Sequence, residues 1–267
     1  MKLLLAGDIV GDTGRRAFAK IVARLKERGE ADVVIANAEN AAGGKGLTGP
    51  LAQELFKAGA DALTLGDHAW DRKELPNYLE TEPRVLRPAN FPPGCPGRGL
   101  ATLDTDWGKV TVINLIGRTF MRPNDCPFRV AEDLLKNSAL LGKTIVVDMH
   151  AEASSEKVVL GRLLDGRVTC VFGTHTHVQT SDERLLPRGA AYITDLGMTG
   201  ARDSALGRDL DSVAFMIRTS RPSPFKVATG DPVLEGVIVD VDARTGKARG
   251  IRRLRESVKN ESMVLGP

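Results

Sequence analysis

Five short strand-like runs in this chain each stop in a cluster of glycine, acid, amide or histidine. The runs are Lys2 to Ala6, Asp32 to Ala36, Ala62 to Leu65, Thr144 to Val147 and Val168 to Phe172. They lead into Gly7-Asp8, Asn37-Ala38-Glu39-Asn40, Gly66-Asp67-His68, Asp148-Met149-His150 and Gly173-Thr174-His175-Thr176-His177. Short apolar runs bounded in this way read as buried strands. In open α/β sheets, ligands gather outside the carboxyl ends of the strands. The chain has four histidines, and all four follow these runs. Histidines that separate segments deliver to strand ends point to one polar site, and with the nearby acids to a metal site.

Helical patterns separate the runs. Asp12 or Thr13 is placed to cap a helix through Ala17, Phe18, Ile21, Val22 and Leu25, with Gly29 as its stop. Thr48 caps a second helix ending near Gly59, and Asp71 with Glu74 resembles a capping box at the start of a third. The order β-α-β-α-β-α belongs to a parallel sheet with helices on its faces. Pro88 to Gly99 reads as a long ordered loop, and Leu100 to Thr105 with Lys109 to Ile116 as a hairpin. A helix from Phe128 to Leu141 precedes the strand ending at His150, and Ser154 or Ser155 caps the next helix. Beyond the double histidine the pattern is mostly strands: Ala190 to Thr194, Val213 to Thr219, Gly236 to Val241 and Ala248 to Leu254. The last two form a hairpin over Arg244-Thr245-Gly246. With no repeat and no linker, residues 1–267 read as one α/β domain, β-rich in its last third.

Composition narrows the function. Aromatic residues make up 4% of the chain, too few for stacking bases, so stable nucleic-acid binding is not expected at a net charge of +3. The basic residues of Arg249 to Arg255 read as a solvated strand face. Cys95, Cys126 and Cys170 are odd in number and lack a C-x-x-C spacing, which points to a reducing compartment. No apolar stretch approaches the ~18 residues of a membrane span, and the first residues show no signal-peptide pattern, so the expected location is cytoplasmic. Gly43-Gly44-Lys45-Gly46 lacks P-loop spacing and reads as a loop shaping the rim of the site. Gly7, Gly11 and Gly14 fail the dinucleotide fingerprint.

Asp8, Glu39, Asp67, His150, His175 and His177 each sit at or just past a strand. Two adjacent cations need shared negative charge between them, and a carboxylate can bridge. Such pairs catalyse displacement at phosphorus. Imidazole, carboxylate and amide oxygen together suit iron, manganese or zinc better than calcium.

Gly7-Asp8, Gly66-Asp67-His68, His150 and Gly173-Thr174-His175-Thr176-His177 resemble the ordered motif set of the calcineurin-like metallophosphoesterases. The resemblance is greater to the YmdB-like bacterial phosphodiesterases, through Gly7 to Gly11, Glu39 to Gly46 and His150 to Lys157. It covers essentially the whole chain. It implies a four-layer α/β/β/α sandwich with a di-iron or di-manganese centre, and a small phosphodiester as substrate, such as a 2′,3′-cyclic nucleotide. By this resemblance Asp8, Asn40 and His177 hold one metal, Asp67, His150 and His175 hold the other, and Glu39 bridges them. His68 is the general acid that protonates the leaving oxygen. The wider family has a histidine where this chain has Val10, and Asn40 fills that vacancy. The YmdB-like pattern has Asn where this chain has Asp67, whose extra charge should tighten cation binding and weaken the metal's pull on a phosphoryl oxygen.

Some readings stay open at this level. A phosphomonoesterase or 5′-nucleotidase would use the same metals, and a regulatory metal-binding protein would keep them with vestigial catalysis, although a pure binder has no need of His68. Arg118, Arg122 and Arg202 lie in loops where one of them can meet a substrate phosphate. Asp148 is placed to orient a histidine. Residues Asp195 to Gly200 can line the pocket, and a homo-oligomer is open.

Overall fold

The computed structural model describes residues 1–136 and 141–258. In chain order the first strands are β1 (Lys2–Ala6), β2 (Asp8–Ile9), β3 (Val33–Asn37), β4 (Ala62–Thr64), β5 (Val85–Leu86), β6 (Leu100–Thr105) and β7 (Gly108–Ile116). There follow β8 (Thr144–His150), β9 (Cys170–Thr174), β10 (Arg184–Leu185), β11 (Ala191–Ile193), β12 (Met198–Ala201), β13 (Pro232–Asp242) and β14 (Lys247–Ser257). The helices are α1 (Gly11–Glu27), α2 (Gly49–Lys57), α3 (Leu75–Thr81), α4 (Pro127–Lys136), α5 (Ser154–Leu164) and α6 (Leu210–Thr219).

The strands form two sheets. In the eight-stranded sheet, β1, β3, β4 and β5 run parallel, and β13 closes antiparallel against β1. The long β13 pairs with β14 on its other edge and with β12 further along, and β2 lies beside β12. The six-stranded sheet has the order β10-β11-β9-β8-β7-β6, with β7, β8, β9 and β11 parallel.

Side-chain alternation along these strands sorts the core into layers. Leu3 and Leu5 of β1 point inward and meet Val110, Val146 and Phe172 of the other sheet. Leu4 and Ala6 point the opposite way, under Phe18 and Ile21 of α1, Leu55 of α2 and Leu79 of α3. Ile145, Val147 and Met149 of β8 pack outward on Leu135 of α4 and Leu160 and Leu164 of α5. The result is a four-layer α/β/β/α sandwich, as the motif set implied. A buried leucine in such a layer is worth about 1.5–3 kcal/mol, so both sheet faces are strongly committed. Among the described residues no helix is long and apolar enough to cross a membrane.

Several local expectations are corrected. Val213 to Thr219 is not a strand but most of α6, which Asp209 caps by accepting from Ser212 N at 2.9 Å. That helix buries none of its residues, so its apolar spacing carries no core signal. Neither Asp12 nor Thr13 caps α1: Asp12 pairs with Arg15 and Arg16, and Thr13 donates to the Ala228 carbonyl. Ser154 and Ser155 lie inside α5, whose capping position is Ala153. The helix expected over Phe128 to Leu141 is seen as α4, and residues 137–140 lie outside the described residues. Thr48 does cap α2, the 100–116 hairpin forms, and β13 and β14 make the expected terminal hairpin. Arg249, Arg252, Arg253 and Arg255 all lie on β14 and find carboxylate partners.

Candidate metal centre

The carboxyl ends of β1, β3, β4, β8 and β9 meet where the two sheets converge. Glu39 follows β3, Asp67 follows β4, His150 ends β8 and His175 follows β9. One ligand atom from each of these four lies within 4.8 Å of all the others. His150 Nε2 stands 3.1 Å from Glu39 Oε1 and 3.1 Å from Asp67 Oδ1, and His175 Nδ1 stands 3.4 Å from Asp67 Oδ1. Asp8, Asn40 and His177 gather on the other side of Glu39. His177 Nε2 is 3.6 Å from Asp8 Oδ1 and 3.3 Å from the Asn40 amide, which is itself 3.4 Å from Glu39 Oε1. All seven residues expected at the centre are therefore brought together, in two groups that meet at Glu39. A side chain at position 66 would run into the His150 ring and the Glu39 carboxylate, so only glycine fits there.

Each imidazole has its second nitrogen engaged. His177 Nδ1 donates to the Leu206 carbonyl at 3.0 Å, and a carbonyl can only accept, so in the neutral ring Nε2 carries the lone pair. His150 Nδ1 meets Thr174 Oγ1 at 2.9 Å, and that hydroxyl donates to Asp148 Oδ1 at 2.7 Å. Asp148 also accepts from Thr64 Oγ1 at 2.5 Å. Asp148 thus orients His150 through Thr174. His175 Nε2 lies 3.1 Å from Glu152 Oε2. Fixing one ring nitrogen in this manner presents the other to a cation.

The acids and imidazoles of the centre hold one another in their charged forms. Burial works to raise the Asp8 carboxyl, yet the adjacent His177 imidazole outweighs it and holds the group at about 2. Burial likewise opposes charge on His177, and Asp8 overrides it to push the ring up to about 9. His150 is raised well above its ordinary value, with Glu39 and Asp67 outweighing burial. Asp67 is lowered by its hydrogen bonds to His150 and His175 in spite of burial. Asp8 Oδ1 is buried without a hydrogen-bond partner, a costly arrangement unless a cation faces it. The donor set of imidazole, carboxylate and amide suits a transition-metal cation, and the cluster of Glu39, Asp67, His150 and His175 has the spacing to hold one.

His68 stands at the rim. Its backbone N–H donates to Glu39 Oε2 at 3.1 Å, and its Nδ1 meets Asp71 Oδ2 at 3.0 Å. Asp71 is therefore the partner of His68 and not a cap, and α3 begins at Leu75 without a side-chain cap. His68 lines an open hollow of about 450 Å³ together with Lys45, Asp67, Phe120, Arg122 and His175. Of the three loop arginines, Arg122 faces this hollow. Arg202 lines an adjoining one beside His177, and the backbone of Arg118 is tied to the Glu156 carboxylate.

Sequence reasoning did not find the support beneath the double histidine. Buried Lys157 donates to Asp195 Oδ2 at 2.7 Å, and the same oxygen takes Thr176 N at 3.2 Å and Thr176 Oγ1 at 2.6 Å. The loop needs that support because His175 and His177 hold φ values of 92° and 60°, which side-chain-bearing residues rarely adopt.

Comparison with known proteins gives the chain's family and confirms its fold. The family model described as YmdB-like protein matches residues 4–254. The chain is 46% identical over 254 residues to a 2′,3′-cyclic-nucleotide 2′-phosphodiesterase of Bacillus subtilis (strain 168), covering 95% of this chain and 96% of that protein. A crystal structure of a Thermus thermophilus protein described as hypothetical superposes with a TM-score of 0.91 at 39% identity, over 96% of this chain and 99% of the other. The crystal structure of a Mycoplasma pneumoniae protein described as a novel phosphatase gives 0.90 at 32% identity, over 96% and 93%.

Proposed function

The chain belongs to the YmdB-like family, and from that premise we propose that it is a metal-dependent phosphodiesterase of small phosphodiesters, 2′,3′-cyclic nucleotides such as 2′,3′-cyclic AMP above all. In this reading Asp8, Asn40 and His177 hold one cation, Asp67, His150 and His175 a second, and Glu39 lies between them. Two iron ions, with manganese as the alternative, supply charge neutralisation at the phosphoryl oxygens and activation of water near neutral pH. The six residues that gather on the two sides of Glu39, with an orphaned Asp8 oxygen among them, are the observation that carries the reading.

The chain's own residues account for the rest. Asp71 holds His68 through Nδ1, which leaves Nε2 for the substrate. When the bond from phosphorus to the 2′ oxygen breaks, His68 gives the proton on Nε2 to that oxygen. Lys45 and Arg122 offer positive charge along the hollow where the anionic substrate sits. The reading extends to a single domain over residues 1–267, a small-molecule substrate with no stably bound nucleic acid, and a reducing cytoplasmic setting. Free Cys95, Cys126 and Cys170 support that setting. A homo-oligomer remains compatible with it.

The test is elemental analysis of the purified protein beside hydrolysis assays on 2′,3′-cyclic AMP, 3′,5′-cyclic AMP, a nitrophenyl diester and a nitrophenyl monoester. About two metals per chain with turnover of 2′,3′-cyclic AMP is the expected result. His68→Ala should keep the metal and lose about 10²- to 10⁴-fold in turnover. Turnover of the monoester alone would make the protein a phosphatase, and absence of both metal and turnover would overturn the ligand assignment.

A further inference from the structure

Arg208 stands beside the centre with its charge unspent. Two residues before it, the Leu206 carbonyl accepts from His177, so the backbone that positions His177 also positions Arg208. The guanidinium carbon lies 3.7 Å from the centre of the Phe225 ring. Its Nε is buried without a hydrogen-bond partner, and among the described residues the side chain makes no ion pair or hydrogen bond. The arginines of β14 all find carboxylates, whereas Arg208 has none among the described residues. Arg208 and Phe225 line a hollow of about 160 Å³ with Glu39, Asn40, His68 and His177.

The Phe225 ring lies against the guanidinium, and the Nη donors, which project in the guanidinium's own plane, have no partner among the described residues. That planar fork matches two oxygens of a phosphoryl group, whereas a carboxylate partner would have cancelled it. Nothing in the proposed chemistry above uses this residue. We propose that Arg208, shelved on Phe225, is a substrate-binding residue that takes a non-bridging phosphoryl oxygen from the His177 side of the centre. The inference rests on the phosphodiesterase reading for its substrate, although its ligand chemistry is simply a phosphoryl anion.

The experiment compares wild type, R208A and R208K, each loaded with manganese and checked for metal content and melting temperature. Two readouts are taken: KM and kcat on 2′,3′-cyclic AMP and on bis(nitrophenyl) phosphate, and calorimetric affinity for inorganic phosphate. R208A should raise KM about 10- to 100-fold on both diesters with little change in kcat, and weaken phosphate binding by a similar factor. R208K should fall between, because ammonium keeps the charge but not the fork. Equal phosphate affinity in wild type and R208A overturns the proposal. A loss confined to the cyclic nucleotide also overturns it, because the contact would then be to base or ribose. If the wild type hydrolyses neither diester while R208A still loses phosphate affinity, the phosphoryl site stands and the phosphodiesterase reading fails.

Discussion

His150 and His177 both turn Nε2 towards acids of the centre, yet they reach it in different ways. His150 is the last residue of β8, has no exposed side-chain surface, and is fixed by a relay through Thr174 and Asp148 to Thr64. His177 sits in a loop at φ 60°, and its Nδ1 is held by a carbonyl of another loop, at Leu206. The group around His150 is thus built into the interior of the sandwich, while the group around His177 depends on two loops that hold one another. A buried network fixes geometry without further help but penalises any unpaired member. A loop-held ligand is cheaper to move, and its position depends on local backbone strain.

The largest effect should come from the point where both groups share support. Lys157→Met leaves buried Asp195 without its cation, under the loop that carries both His175 and His177. Breaking one partner of a buried ion pair costs about 3–5 kcal/mol. Urea unfolding of the variant should show a loss of that order. A loss below about 1 kcal/mol would mean that the Thr176 and Gly197 donors satisfy Asp195 on their own.

The interior group can be probed separately by pH. Burial pushes the Asp148 carboxyl from 3.8 to about 7. Between those values the folded state binds the proton that the unfolded state has released, so stability is greatest below 3.8 and falls as pH rises towards 7. Over that window the loss amounts to roughly 2–4 kcal/mol. Asp148→Asn removes the titration, and its unfolding free energy should lack this slope between about pH 4 and pH 7. Parallel slopes for wild type and variant would contradict it.

The same contrast explains what the sequence revealed. All the histidines were visible because they are few and follow apolar runs, and Glu39 and Asn40 because they end one. Asp71 was legible only as a helix cap, since an acid three residues before Glu74 suits a capping box as well as it suits an i,i+3 partner for His68. The pairing of Lys157 with Asp195 spans 38 positions and follows no local spacing. The helix α6 was misread because seven residues with scattered apolar positions fit strand and helix alike. The deciding signal was Asp209, the cap that precedes them.

The loop-held group should yield to a smaller change. Gly207 has φ 88°, and a side-chain carbon there would come within 2.7 Å of Val10 Cγ1. Gly207→Ala therefore displaces the segment between Leu206 and Arg208, at a backbone cost of about 1–2 kcal/mol. Metal content should fall towards one ion per chain while the His150 group keeps its own. Full occupancy in the variant would show that His177 does not depend on the Leu206 carbonyl.

The smallest effect belongs to Asp71, which touches neither group directly. It accepts from His68 Nδ1, so Asp71→Asn keeps an acceptor in place but replaces the carboxylate that orients the ring with a neutral amide. Turnover of 2′,3′-cyclic AMP should fall about tenfold or less, with KM unchanged. The effect should depend on the leaving group. A ribose oxygen departs as a poor leaving group and needs a proton in the transition state, whereas nitrophenolate departs without one. Asp71→Asn should therefore barely slow the nitrophenyl diester. An equal loss on both substrates would mean that Asp71 shapes the hollow rather than orienting His68, and a metal content below wild type would mean that its role reaches the centre through the bond from His68 N to Glu39.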